Sequence, residues 1–239
     1  MQWMGDVLVS VNEATEVEEL LQKLQSGAVS LGFEYCAYGL QTLLPVTRPR
    51  IYTQSTYPPA WSERYRQSGY LAIDPTVQHC QRSQAPVLWN AGVFSAVPGL
   101  WDDAHQAGLR VGWAQSCLDG CGGGGMFTLA RSADALGESE LRSQEVKMRW
   151  LTSLAHQGFM RLKSPSWQPQ LCSPLSSRER EVLRWAADGK TLAQVADILT
   201  LSMETVKFHT RNAGVKLGAA NRTAAVARAA LLGLLSWVD

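Results

Sequence analysis

The chain has 239 residues, 46% hydrophobic and 18% charged, with a formal net charge of +1. That length and balance suit one large or two small globular domains and exclude a disordered or collagen-like chain. The near-neutral total gives no nucleic-acid signal for the whole chain.

The charge is unevenly placed. From Cys172 to the end there are nine Lys or Arg against six acids, a local balance of +3, and the remainder carries −2. The sign is that expected of a tail that meets phosphates. Met1–Val11 carries Asp6 and no basic stretch, so no signal peptide is expected, and the last long apolar stretch is broken by Arg228. These features imply a cytoplasmic protein without a membrane partner, and the five cysteines are expected as free thiols.

In chain order, Glu16–Leu31 spaces Val17, Leu20, Leu21, Leu24 and Val29 as an amphipathic helix. Phe33–Leu40 and Arg50–Tyr57 read as strands, and Pro59–Ser68 as a short helix with proline in its first turn. Asp74–Arg82 opens with an Asp cap and Pro75, a helix start. Gly99–Gly108 reads as a helix. Gly112–Leu118 and Met126–Ala130 read as strands about a glycine-rich turn, and Ser139–Leu162 as a long helix. Strands mixed with helices predict an α/β or α+β domain over 1–163. The strand order does not follow from the pattern.

The segment 164–174, SPSWQPQLCSP, is rich in proline and serine and is expected to be a linker without helix. Beyond it, 175–239 is expected to be all-α with four helices. Ser176 and Glu179 form a capping box, Gly189 stops the first helix, Thr191 starts the second, Ser202 caps the third and Asn221 the fourth. The few residues between the second and third helices match a helix-turn-helix, whose latter helix enters a major groove. On that helix Lys207 and Arg211 share a face. By charge alone a solvated basic helix face explains them equally well.

The ordered motif decides between these. R-E-x-E-V-L from Arg178, D-G-K at 188–190, V-A-x-x-L from Val195, T-V-K-F-H from Thr205 and K-L at 216–217 resemble the LuxR-type DNA-binding domain over Leu175–Leu235. The resemblance implies base contacts from Lys207 and Arg211. It implies contacts to double-stranded promoter DNA from Lys190, Thr191, Thr210, Asn221, Arg222 and Thr223. Glu179, Glu181, Gly189, Val195, Leu199 and Val206 fall at structural positions.

Upstream, Y-P-P-A-W-S-E-R-Y from Tyr57, Y-L-A-I-D-P-T-V from Tyr70, P-V-L-W-N from Pro86, L-W-D-D-A from Leu100 and G-L-R-V-G-W from Gly108 resemble the autoinducer-binding domain of quorum-sensing LuxR regulators. The resemblance narrows the fold of 1–163 to α+β, an α/β/α sandwich. It implies an N-acyl-homoserine lactone as small-molecule effector, with no other cofactor. Asp74 would accept the amide N–H and Trp61 would donate to the lactone carbonyl. Tyr57, assisted by Thr128, would donate to the amide carbonyl. Thr76 joins the site, and Tyr65, Trp89 and Trp101 are its walls. It further implies a homodimer on an inverted repeat, with RNA polymerase as a further partner. A LuxR-type regulator that responds to a ligand other than a self-made lactone, or an anti-activator that sequesters other regulators, is the alternative.

Other readings fit less well. A phosphorylated receiver domain needs an early acidic pair, and only Asp6 lies early. The glycine run at 120–125 precedes a strand rather than a helix, against a nucleotide loop. Cys117 and Cys121 have metal-ligand spacing but lack a second pair, and the four histidines form no nucleophile–base set. The chain is therefore not expected to be an enzyme.

Overall fold

The computed structural model describes residues 2–118, 124–132, 134–167 and 174–236, with backbone alone over 163–167. The chain divides into two compact units, the first built from residues up to Lys163 and the second chiefly from Ser164 onward.

The first unit opens with α1 (Gln2–Glu13) and α2 (Val17–Val29). α2 buries Val17, Leu20 and Leu24 of the predicted stripe, together with Ala28; Leu21 is half-buried and Val29 is exposed. α1 was not legible as a helix, and Val11 is its one buried residue. The sheet comprises β1 (Tyr35–Gln41), β2 (Ile51–Ser55), β3 (Val87–Leu88), β4 (Val111–Leu118) and β5 (Gly124–Arg131), in the order β2-β1-β5-β4-β3. Every pairing is antiparallel, so the unit is α+β. Between β2 and β4 lie α3 (Pro59–Gln67), a 3-10 turn at Tyr70–Ala72, α4 (Pro75–Cys80) and α5 (Pro98–Gln106); α6 (Glu138–Trp167) closes the unit.

The register sorts the strand residues into two unlike faces. Tyr35, Ala130 and Gly112 are aligned across β1, β5 and β4, followed by Ala37, Thr128 and Ala114, then Gly39, Met126 and Ser116. That face is small in its middle. The alternate residues, Tyr38, Leu40, Phe127, Leu129 and Trp113, are large and buried. The large face packs on α6, where Tyr38 stacks on Phe159 at 4.3 Å and its hydroxyl meets His156 Nδ1 at 2.8 Å. Gly125 makes room for this pair, since a Cβ there would lie 2.5 Å from the Tyr38 hydroxyl. α2 and α6 meet closely at Gly158, where a Cβ would lie 2.9 Å from Leu20. The small face looks toward α3–α5, whose aromatic cluster packs against Tyr35 and Ala130. The result is the expected α/β/α sandwich.

One expectation needs correcting. α6 continues through Trp167, four residues into the segment read as a helix-free linker. Proline removes one N–H bond, but its fixed φ is close to helical, so a helix already under way passes through Pro165.

The second unit is helical: α7 (Ser177–Ala187), α8 (Leu192–Leu199), α9 (Met203–Lys216) and α10 (Arg222–Leu231). Each starts at a side-chain cap. Ser176 and Thr191 form capping boxes with Glu179 and Gln194, while Ser202 and Asn221 accept from Thr205 N–H and Ala224 N–H. Gly189, at φ +81°, turns the chain between α7 and α8. One core joins Leu175, Leu183, Ala213, Leu217, Ala225 and Ala229; a second joins Val182, Val195, Ala196 and Val206. Glu179 is 4% exposed. Its carboxylate accepts from Ser176 N–H and from Lys216 Nζ at 2.8 Å. Burial pushes its pKa up, but the Lys216 ammonium and the Ser176 amide outweigh this and hold it below the usual glutamate value.

Candidate effector and DNA sites

In the first unit the site is anchored by α3 and α4. Trp61 and Tyr65 are one helical turn apart and present one face of α3, with rings edge to face at 5.7 Å. Asp74 caps α4 and is 8% exposed. Its Oδ1 accepts from Thr76 N–H at 2.8 Å and from Thr76 Oγ1 at 2.6 Å, and its Oδ2 accepts from the Tyr65 hydroxyl at 2.9 Å. Two partners saturate Oδ1; Oδ2 keeps one acceptor direction.

Tyr57, Trp61, Tyr65, Trp89 and Trp101 belong to one cluster with Tyr70 and Phe94. Trp101 stacks on Phe94 at 4.8 Å, and the Phe94 and Trp89 rings meet edge to face at 5.9 Å. Thr128, 5% exposed, lies on the small face of the sheet, aligned with Ala37 and Ala114. Burial first, then the nearby Cys36 and Asp74, hold the Tyr57 hydroxyl far above its ordinary pKa; burial and Asp74 do the same for Tyr65. Both stay protonated donors. Among the described residues the Tyr57 hydroxyl and the Trp61 indole N–H donate to no protein group. The combination is one open carboxylate acceptor, a tyrosine hydroxyl and a donor-only indole in an apolar surround, above strands bearing Ala, Gly, Thr and Ser. Such a site suits a small amphiphile with an N–H and several oxygens.

Two features escaped sequence reading. Asp103 on α5 accepts from the Tyr70 hydroxyl at 2.5 Å and from Arg64 Nε at 2.7 Å, tying α3 to α5. Gly112 seats Trp89: a Cβ there would lie 2.2 Å from the indole. Gly112 stood inside the G-L-R-V-G-W motif, and a lone glycine within a strand signals a close approach. Cys121, half of the cysteine pair weighed as a metal site, lies outside the described residues.

In the second unit α8 and α9 are joined by a tight turn in which Thr200 adopts φ +54° and Leu201 N–H returns to Ala196 O at 2.9 Å. Lys207 and Arg211 are exposed on α9, and Lys207 pairs with Glu204 at 2.7 Å. Thr210 donates to Val206 O at 2.8 Å, so its hydroxyl is left to accept. Thr191 and Asn221 are N-caps, which places their backbones at the positive ends of α8 and α10. The Arg222 guanidinium donates to Lys190 O, and Thr223 is exposed. A depression of about 330 Å³ gathers Lys207, Thr210, Arg211, Asn221 and Arg222 on one surface. Lys190, Thr191 and Thr223 do not line it. Phe208, 59% exposed beside Lys207, was not anticipated there.

This tail and aromatic domain have known counterparts. Residues 16–159 match the autoinducer binding domain, and residues 173–229 match the bacterial regulatory proteins of the luxR family. The chain belongs to the LuxR family. The transcriptional activator protein AnoR of Acinetobacter nosocomialis is 40% identical to it over 235 residues, 98% of this chain and 99% of AnoR. A crystal structure of Escherichia coli SdiA superposes with a TM-score of 0.85 at 31% identity, covering 98% of both chains. The N-acylhomoserine lactone dependent factor CepR2 of Burkholderia cenocepacia gives 0.62 at 30% identity, covering 67% of this chain and 95% of CepR2. As a LuxR-family member the chain is a quorum-sensing transcriptional regulator that binds DNA through its second unit and a small-molecule autoinducer through its first. Among the described residues no helix is long and apolar enough to cross a membrane.

Proposed function

We propose that this regulator is controlled by an N-acyl-homoserine lactone and binds an inverted-repeat promoter site as a homodimer in the cytoplasm. The observation that carries this reading is the state of Asp74: a buried carboxylate with one unfilled acceptor direction on Oδ2, beside a cluster of tyrosine hydroxyls and donor-only indoles. The effector's amide N–H fills that direction. Trp61 donates to the lactone carbonyl, and Tyr57, with Thr128, to the amide carbonyl. Trp89, Trp101 and the Tyr65 ring enclose the ring and the start of the acyl chain, Thr76 fixes Asp74, and the small face of the sheet accepts the tail. The lactone dependence of CepR2 supports the same assignment.

Binding only the folded state stabilises it by mass action. In the folded dimer two copies of α9 read half-sites about one helical turn apart, roughly 34–36 Å. Lys207 and Arg211 address base edges, and Lys190, Thr191, Thr210, Asn221, Arg222 and Thr223 address the backbone. The dimer then engages RNA polymerase.

The test is expression with and without N-octanoyl-homoserine lactone, mass spectrometry of solvent extracts of the purified protein, and gel shifts on neighbouring promoters. The expected result is co-purified lactone and lactone-dependent DNA binding. Soluble, DNA-binding protein that neither carries nor responds to lactone overturns the effector assignment. Lactone binding without any DNA shift turns the reading toward sequestration of other regulators.

A further inference from the structure

Trp89 offers more than an apolar wall. Its indole Nε1 is buried and has no hydrogen-bond acceptor. A buried N–H left unanswered costs about 1–3 kcal/mol, and an indole can only donate. The ring is held firmly. The Trp89 backbone N–H donates to Gly112 O at 2.8 Å, and the Phe94 and Trp89 rings lie at 76° to one another. The ring lies flat on β4, because a Cβ at Gly112 would fall 2.2, 2.4 and 2.6 Å from Cδ2, Cε2 and Cε3. Gly112 is on the small face of the sheet, aligned with Ala130, and Trp89 shares its cluster with Trp61, Tyr57 and Tyr65. Trp113, whose indole N–H is also without an acceptor, lies on the large face, away from this cluster.

We propose that the Trp89 indole N–H donates a hydrogen bond to an oxygen of the effector's lactone ring, and that Gly112 is the positioning residue that seats it. The inference rests on the lactone reading above. It follows from matching donors to acceptors. Asp74 and Tyr57 suffice for the amide N–H and carbonyl. The alkyl chain offers no acceptor. The lactone ring carries two oxygens, and Trp61 and Trp89 are two donor-only indoles in one cluster. The site therefore distinguishes a lactone from a carbocycle of the same shape.

The experiment measures binding of N-octanoyl-homoserine lactone and of N-cyclopentyl-octanamide, whose ring has no oxygen, to the full chain and its Trp89→Phe variant. Trp89→Phe is expected to weaken the lactone roughly tenfold, the worth of one hydrogen bond, and the cyclopentyl amide less than twofold. An equal loss for both probes, or no loss for the lactone, overturns the proposal. If the variant does not accumulate folded, indole-15N-labelled wild type decides: the lactone, and not the cyclopentyl amide, is expected to protect two indole N–H groups from exchange, those of Trp61 and Trp89. Protection of only one, or equal protection by the two probes, overturns the proposal. Gly112→Ala is expected to lower the lactone-over-amide preference and to add little to Trp89→Phe. Additive losses, or an unchanged preference, overturn the positioning role. A wild-type chain that binds neither probe overturns the lactone reading itself and is distinct from these outcomes.

Discussion

The Tyr65 hydroxyl donates to Asp74 Oδ2 at 2.9 Å, which joins the middle of α3 to the cap of α4. The bond aims the carboxylate and leaves it one acceptor direction.

Asp74→Asn is expected to keep its oxygen on Thr76 N–H, because α4 needs the cap. The amide nitrogen then donates to the Tyr65 hydroxyl, which can accept, and meets the effector's N–H donor against donor. Lactone affinity should fall by ~1–3 kcal/mol, or up to a hundredfold. The measurement is the lactone-dependent rise in Tm of the variant against wild type; an unchanged rise contradicts the assignment.

Gly125→Ala is expected to destabilise the first unit by ~1–3 kcal/mol, as overpacking does. The added methyl would meet the Tyr38 hydroxyl at 2.5 Å and His156 Nδ1 at 2.8 Å, both within a filled core. Gly99→Ala on α5, with nothing within 4 Å, is the control and should be neutral or stabilising. Urea midpoints of the two variants check the contrast.

The Glu179–Lys216 pair gives the second unit an acid dependence. The folded pKa of Glu179 lies below its ordinary 4.5, so its contribution is fully present above pH 4.5 and is lost as pH falls through the folded value. Protection factors of α7 amides, corrected for intrinsic exchange, should fall below about pH 4.5 in wild type. In Glu179→Gln that fall should be smaller and protection at neutral pH lower. A Gln variant with the wild-type acid profile would remove the pair from the account.

Lys207→Ala with Arg211→Ala is expected to abolish sequence-specific DNA binding and leave lactone binding intact. Each lost base contact is worth ~1–3 kcal/mol. Gel shifts across a salt series, with lactone binding measured in parallel, separate the two functions. A parallel loss of both would contradict the division of labour between the units.

The helices were legible where one turn of sequence carries the signal. Ser176 with Glu179, Ser202 and Asn221 each cap a helix within three residues, and Asp74–Pro75 does the same for α4. Elements set by distant partners were not. Tyr35 pairs with Ala130, and no local pattern announces that register. β3 is two residues long, too short for an alternation to register. α1 buries little, so its apolar stripe is faint. The site residues came from an ordered motif rather than from geometry. That is why Trp89 read as a wall, and why Gly112, which matters only through a ring brought from elsewhere, did not stand out.

The two unlike faces of the sheet have a consequence for how such a receptor can change. Side chains alternate along a strand, so neighbouring codons serve opposite ends of the molecule's life. Tyr38, Phe127 and Leu129 hold the frame against α6, while Ala37, Thr128 and Ala130 lie on the face turned toward α3–α5, where the effector is proposed to sit. On the proposed reading, a substitution on the small face redraws the message that can be heard; the next residue along decides whether there is a listener at all.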